Sequence, residues 1–343
     1  MVAVRSDEFQ QRHRWAGFPL AVCYKFVDDQ GYYLAALLTY YGFLSLFPLL
    51  LLLVTVLGFV MQDDVALQQQ VLHSALTDFP VLGQQIVSNV HSLQGNVFGV
   101  TFGAAAALYG ALGVAGAGQT VLNKIWAVPR VQRPNLLGFY ARSLLLLATL
   151  GLGVLLTTAL TGLTTVASDL ASNDVLVALL ANLGALVVNV LLFLLAFRVL
   201  TARDFARGQL LPGAVVSALL WQGLQIGGTY LLEHELRGSS ATYGAFGLVI
   251  GLMIWLYLGA TVAVLGAEVN AVRVLRLWPR SLLTPFVGEA PLTPADRQAY
   301  AAYARTEQLV EQAHIRVRFP PRAGEESTSR RSDAARPADQ PPA

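Results

Sequence analysis

The sequence contains a single cysteine and few charged residues. Of its 343 residues, 13% are Asp, Glu, Lys or Arg, against roughly 25% in ordinary soluble domains. Because Cys23 is the only cysteine, the chain can form neither an intramolecular disulfide nor a thiolate metal cluster of its own. The chain also lacks G-x-x-x-x-G-K-[ST], H-E-x-x-H and G-x-S-x-G, which are typical of ATPases, zinc peptidases and hydrolases. We therefore expect no cofactor, no metal, no catalytic residues and no enzyme.

Long apolar runs are abundant instead. Hydrophobic residues make up 55% of the chain, and its mean hydropathy is +0.54. A helix needs about 20 apolar residues to cross a bilayer, and six runs meet this length. They cover residues 34–60, 97–120, 143–166, 175–200, 210–232 and 243–267. The sequence thus predicts an all-α bundle of six transmembrane helices.

The basic residues give this bundle an orientation. Of the 23 Lys and Arg residues, all but Arg198 and Arg237 precede the first run, follow the last, or lie in the second and fourth connections. Arg198 lies just inside the end of the fourth run, on the side of the fourth connection, so Arg237 is the exception. Positively charged loops remain in the cytoplasm. We therefore expect a multi-pass membrane protein with both termini cytoplasmic. Six buried helices of a soluble protein would not produce this alternation.

The segments outside the runs divide the chain into three parts. Residues 1–33 form a cytoplasmic segment whose apolar, aromatic second half predicts an interfacial helix; with no apolar run before Leu34, we expect no cleaved signal peptide. Residues 34–280 form the membrane domain, and residues 61–96 predict two short amphipathic helices on its outer face. Residues 281–343 form a cytoplasmic tail, with a short charged helix beyond Pro294 and disorder from about Arg322.

Few polar side chains lie within the predicted spans. Glu268 ends the sixth span, followed by Asn270; the carboxylate could bind a proton, a cation or a basic residue such as Arg142 or Arg198, or it could be an ordinary interfacial group. Two pairs of amides lie in the fourth and fifth spans: Asn182, Asn189, Gln222 and Gln225. These amides could line a polar path, although hydrogen bonding between helices is the commoner role.

Proline and glycine mark possible hinges. Pro48 in the first span predicts a kink. The second span is rich in glycine, which allows close helix packing. The spacing of Gly99 and Gly103 recurs at Gly247 and Gly251 in the sixth span, so a parallel internal repeat is a hypothesis beside coincidence. The same spacing would permit a homo-oligomer.

Two stretches resemble the YihY/virulence factor BrkB family. The first runs from Leu34-Ala35-Ala36-Leu37 to Phe47-Pro48-Leu49-Leu50, and the second includes Ile254-Trp255-Leu256-Tyr257 and Leu265-Gly266-Ala267-Glu268-Val269-Asn270-Ala271. Asn123-Lys124-Ile125-Trp126 and Arg142 lie between them. The resemblance implies a bacterial inner-membrane protein of six spans, linked to serum resistance and envelope lipid traffic. An older ribonuclease label for some members gains no support from these residues.

The leading functional hypothesis is a transporter or lipid translocator without its own ATPase. In this hypothesis Glu268 is the binding or coupling carboxylate, membrane lipids are partners and nucleic acid is not. The alternative is a structural or partner-binding membrane protein of envelope maintenance. An RNA-directed or intramembrane enzyme ranks last, because no nucleophile or carboxylate cluster for a metal is evident.

Overall fold

The computed structural model describes residues 13–60, 97–149, 151–153, 174–234, 240–281 and 292–319, and these residues form helices without any β-strand. The all-α prediction is confirmed for this part of the chain. The helices are α1 Arg14–Asp28, α2 Gly31–Val60, α3 Val97–Ile125, α4 Leu136–Gly153, α5 Asp174–Leu200, α6 Leu211–His234, α7 Ser240–Val274 and α8 Pro294–Thr306.

Three of the described helices are long and apolar enough to cross a membrane. They contain the segments Leu136–Gly153, Asn182–Leu200 and Val249–Val274. Large apolar side chains such as Leu144, Leu183 and Ile254 point outward, as expected where lipid is the solvent. The six-span count stays a prediction, because much of the predicted third span and the 61–96 segment lie outside the described residues.

The helices begin and end close to the predicted bounds, with three differences. Helix α4 begins at Leu136, before the predicted start of the third span at Ser143. Helix α7 continues to Val274, beyond the predicted end at Ala267. The predicted interfacial segment is a separate helix, α1, which ends at Asp28 before α2 begins at Gly31. Glu268 therefore lies within a helix and not at its polar end.

The described chain divides into two compact units. One contains Val22–Val128 and Gln132–Leu275, the other Met1–Ala21, Pro129–Val131 and Arg276–Ala343. In the first unit, α3 packs most extensively on α2, and α7 packs on both α6 and α2. Its apolar core joins residues from the start of α2, the end of α3 and the junction of α5 and α6, including Leu34, Ile125, Leu200 and Leu210.

Glycines set the distance between α2 and α3. A Cβ on Gly110 would lie 2.8 Å from the Ser45 Cα, and one on Gly113 would lie 2.8 Å from the Tyr41 ring. These contacts confirm that the glycine-rich helix is tightly packed. Pro48 lies inside the continuous helix α2. The side-chain surroundings of Pro48, Gly99, Gly103 and Gly247 lie outside the described part, and Gly251 is half-buried.

The second unit is organised by one buried ion pair. The Arg280 Nε lies 2.6 Å from the Asp296 Oδ1. The Asp296 Oδ2 accepts hydrogen bonds from the backbone N–H of Ser281 and from the backbone N–H and hydroxyl of Thr293. Thr293 and Asp296 form a capping box that begins α8. The short helix predicted beyond Pro294 is confirmed.

Candidate functional site

The site lies at the junction of α1 and α2, which the sequence constrains tightly. Lys25 and Asp29 are four residues apart, so they share one face of a helical turn. The next residue, Gln30, has φ +59°, a left-handed conformation that is uncommon for residues other than glycine. Its side-chain oxygen accepts a hydrogen bond from the Lys124 ammonium at 3.2 Å. This turn directs the Asp29 carboxylate toward the bundle instead of continuing α1.

Three charged side chains meet here. The Lys25 ammonium contacts the Asp29 carboxylate and lies 3.2 Å from the Glu268 Oε2 on α7. It also donates a hydrogen bond to the Ile125 carbonyl oxygen at 2.8 Å. Ile125 is the last residue of α3, where the helix dipole favours a positive charge. We call Lys25, Asp29 and Glu268 the charged cluster.

The charged cluster is fully buried. Lys25 and Asp29 are each 1% exposed and Glu268 is 0% exposed. The Lys25–Glu268 contact has the distance of an ion pair but not the angles of a hydrogen bond, so both Glu268 oxygens lack a hydrogen-bond donor among the described residues. Removing such groups from water costs several kcal/mol per ion even after relaxation. Buried charges of this kind therefore either serve a function or are stabilised by contacts that offset the cost of desolvation.

The partner of Glu268 differs from both candidates that the sequence suggested. Lys25 pairs with Glu268, while Arg142 donates a hydrogen bond to the Thr201 carbonyl oxygen at 3.0 Å. Arg198 is exposed. The Arg142 interaction closes the end of α5, and the Asn123 side chain assists by accepting from the Ala202 N–H at 2.7 Å. The Asn123–Trp126 stretch and Arg142 therefore hold helix ends together.

Asn270 is adjacent to Glu268 in sequence but faces another helix. Its Oδ1 accepts from the Gly213 N–H at 2.7 Å, and its Nδ2 donates to the Leu210 carbonyl oxygen at 2.9 Å. The same crossing is very close, since a Cβ on Gly213 would lie 2.0 Å from the Gly266 carbonyl oxygen. The Asn270 amide thus satisfies backbone groups at the start of α6 and fixes α6 on α7.

The amides of the fourth and fifth predicted spans are only partly brought together. Gln222 on α6 donates to the Asn182 side-chain oxygen on α5 at 3.3 Å. Asn182 is exposed, whereas Asn189 and Gln225 are half-buried. Asn182 and Gln222 therefore form an interhelical pair on the outer surface, separate from the charged cluster.

The sequence interpretation missed Lys25 and Asp29 as site residues. It treated them as interruptions of an interfacial helix, although their four-residue spacing was a signal for a local ion pair. Their contact with Glu268 could not be found from spacing, because it depends on how α1 folds back onto α7. Among the described residues, no three His, Cys, Asp or Glu side chains come together as metal ligands.

Comparison with known proteins agrees with the resemblance seen in the sequence. The family described as virulence factor BrkB matches residues 22–281. An uncharacterized protein of Dickeya dadantii (strain 3937) is 27% identical over 251 residues, which is 68% of this chain and 76% of that protein. No solved structure matches the chain. Since the family match covers most of the sequence, including the charged cluster and its helices, the chain belongs to the YihY/BrkB family of membrane proteins.

Proposed function

We propose that the protein is a translocator of a lipid or other envelope component in the bacterial plasma membrane, without an ATPase or catalytic chemistry of its own. The observation that carries this proposal is the charged cluster. Ionisable groups inside a membrane bundle are rare and usually mark a path for substrates, ions or protons. Here three such groups, all at most 1% exposed, come together from the segment just before the membrane domain and from its last long helix.

A static role alone explains the cluster poorly. Replacing a buried ion pair by apolar residues of similar volume is often neutral or stabilising, so packing does not require these charges. The cluster also contains two carboxylates for one ammonium, an imbalance that a purely structural pair would not need. A site that gains or loses charge during a working cycle accounts for both features.

The amide pair supports a second element of the proposal. Asn182 and Gln222 are hydrogen-bonded across α5 and α6 while Asn182 remains exposed. A polar pair on an otherwise apolar helix surface offers hydrogen bonds to a lipid headgroup or another amphiphile that moves along the bundle. We propose that Glu268 is the binding or coupling carboxylate, and that Asn182, Asn189, Gln222 and Gln225 contact the transported molecule.

The proposed orientation has both termini in the cytoplasm. Its main support is the distribution of Lys and Arg, which follows the positive-inside rule in every connection but one. The described core agrees with the alternating direction of the helices, because it joins helix ends that such an alternation places on the same side, among them Leu34, Ile125 and Leu210. Membrane lipids are the proposed partners, a homo-oligomer is permitted, and nucleic acid is not proposed.

The test is lipid movement in reconstituted vesicles. Fluorescent phosphatidylglycerol and phosphatidylethanolamine are placed in vesicles of bacterial polar lipids, and dithionite reports how fast the inner-leaflet dye becomes accessible. We expect the wild-type protein to accelerate this step and Glu268→Gln to reduce the acceleration at least tenfold. Asp296→Asn is the matched control, because it also neutralises a fully buried carboxylate but lies in the other unit.

Two results would contradict the proposal. One is an unchanged rate in Glu268→Gln, which would remove the carboxylate from any role in movement. The other is a wild-type rate equal to that of protein-free vesicles for both lipids, together with no lipid enriched around the wild-type protein in native-lipid nanodiscs by mass spectrometry. That second result would favour a partner-binding membrane protein instead.

A further inference from the structure

The charges of the cluster do not balance. Asp29 and Glu268 supply two carboxylates, while Lys25 supplies the one ammonium that contacts them. The Ile125 carbonyl, at the negative end of α3, adds further negative potential on the same ammonium. With all three side chains ionised, a site that is at most 1% exposed would hold an excess negative charge, which is costly in a low-dielectric interior.

The surrounding helices offer no second cation that contacts the carboxylates among the described residues. From α1 the facing charged group is Lys25, and from the following turn it is Asp29. Helix α3 contributes the Ile125 carbonyl, and its Lys124 ammonium is bound to Gln30. The α6 residues Gly213 and Ser217, which contact Gly266 on α7, are uncharged, as are the α2 core residues Leu34 and Ala35.

The Glu268 oxygen atoms identify the position at which an additional positive charge would offset the excess negative charge. Neither oxygen has a hydrogen-bond donor among the described residues, and the Oε1 atom also makes no ion pair there. The Glu268 and Asp29 carboxylates both contact the Lys25 ammonium, so the two acidic groups lie near each other on either side of it. A hydrogen atom between two carboxyl groups would supply the missing donor and cancel the excess charge in one step.

We propose that the charged cluster holds one exchangeable proton between Asp29 and Glu268, and that this proton is the coupling ion of the protein. The proposal rests on the proposed translocator function and names the energy source for it. When the proton leaves for water, the remaining carboxylates share the Lys25 ammonium; when it returns, Lys25 pairs with one carboxylate and the other becomes a neutral acid. No bond other than the O–H bond forms or breaks.

The geometry favours a proton over a metal cation. The position between the two carboxylates and the Ile125 carbonyl, where a sodium ion would find three oxygen ligands, is already taken by the Lys25 ammonium. A metal ion would have to displace a fully buried side chain. A proton needs no additional space.

Infrared difference spectroscopy can detect this proton without any transport. The protein in lipid nanodiscs is titrated from acidic to alkaline pH, and the carbonyl stretch of protonated carboxylic acids is followed. We expect a band in the wild-type protein that disappears with rising pH, is lost in Glu268→Gln and is lost or displaced in Asp29→Asn. Asp296→Asn should retain the band.

The outcomes separate the proton site from the proposed function. No carboxylic-acid band that depends on Glu268 at any pH would overturn the inference, even if vesicles show lipid movement. So would a sodium-dependent change in the spectrum of the wild-type protein that Glu268→Gln abolishes while no acid band appears. A Glu268-dependent band in a protein that moves no lipid would leave the proton site standing and remove the function. With both present, a pH gradient should change the rate of lipid movement at least threefold in wild-type protein and not in Glu268→Gln.

Discussion

The Lys25 ammonium lies 3.2 Å from the Glu268 carboxylate, so the helix before the first long span is joined by charge to the last long span. Asp29 contacts the same ammonium. The consequences for stability differ sharply among the three residues, because removing the ammonium leaves two buried carboxylates while removing one carboxylate leaves a balanced pair.

Lys25→Met should therefore be the most damaging single change in the cluster. Breaking a buried ion pair by removing one partner costs about 3–5 kcal/mol, and here two carboxylates lose their cation together. We expect a large drop in Tm during thermal unfolding in nanodiscs. Lys124→Met is the control, because Lys124 is only half-buried; its cost should stay within about 0.5 kcal/mol. Equal losses in both variants would contradict this assignment.

Asn270→Ala should loosen the contact between α6 and α7. The change removes the acceptor of the buried Gly213 N–H, while the Leu210 carbonyl keeps the hydrogen bond from the Ala214 N–H at 3.1 Å. Because one unsatisfied buried group costs about 1–3 kcal/mol, thermal unfolding should show a loss of about that size. The half-buried Asn189 offers a comparison on α5, and Asn189→Ala should cost clearly less. If the two variants unfold alike, the Asn270 amide is not fixing this helix pair.

Two glycines of α6 should respond oppositely to alanine. At Gly213 a Cβ would lie 2.0 Å from the Gly266 carbonyl oxygen, whereas at Gly223 nothing lies within 4 Å. Overpacking should make Gly213→Ala destabilising by about 1–3 kcal/mol. The better helix propensity of alanine should make Gly223→Ala stabilising by up to about 1 kcal/mol. Parallel thermal unfolding curves measure both, and a stable Gly213→Ala protein would refute the close crossing.

Asp296→Ala should release the start of α8. Asp296 binds Arg280, the Ser281 N–H and both polar groups of Thr293, so several buried partners lose their acceptor at once. We expect limited proteolysis to cut near Thr293 at least tenfold faster than in the wild type. The exposed Glu307, paired with Arg130, provides the control, since exposed pairs contribute little. Unchanged cleavage in Asp296→Ala would show that the ion pair does not hold this segment.

The single cysteine reports the orientation without any engineering. Cys23 is exposed on α1 and has no other thiol in the chain to compete with it. Under the proposed topology a membrane-impermeant maleimide should label it in inverted vesicles and not in intact spheroplasts. Cys23→Ser should abolish the signal. Labelling of intact spheroplasts would place α1 outside and reverse the proposed orientation.

The sequence predicted the helices better than their mutual contacts. Apolar length located α2, α5 and α6 to within a few residues, because a membrane helix needs little beyond a continuous apolar run. Glu268 and Asn270 were singled out as polar groups in an apolar helix, which the same logic supports. Their partners were not predictable, since Lys25 reaches Glu268 only through the left-handed turn at Gln30. The spacing of residues within one segment does not predict such a long-range contact.

The charged cluster also sets an order of events during synthesis. Lys25 and Asp29 can pair as soon as the first helical turns form, because four-residue neighbours meet on one helix. Glu268 leaves the ribosome only with the last long helix, α7. Before α7 is synthesised, the cluster consists of Lys25 and Asp29 without Glu268, and it becomes complete when α7 packs against the earlier helices. The ion pair between Lys25 and Glu268 can therefore form only in a chain that has been synthesised through α7.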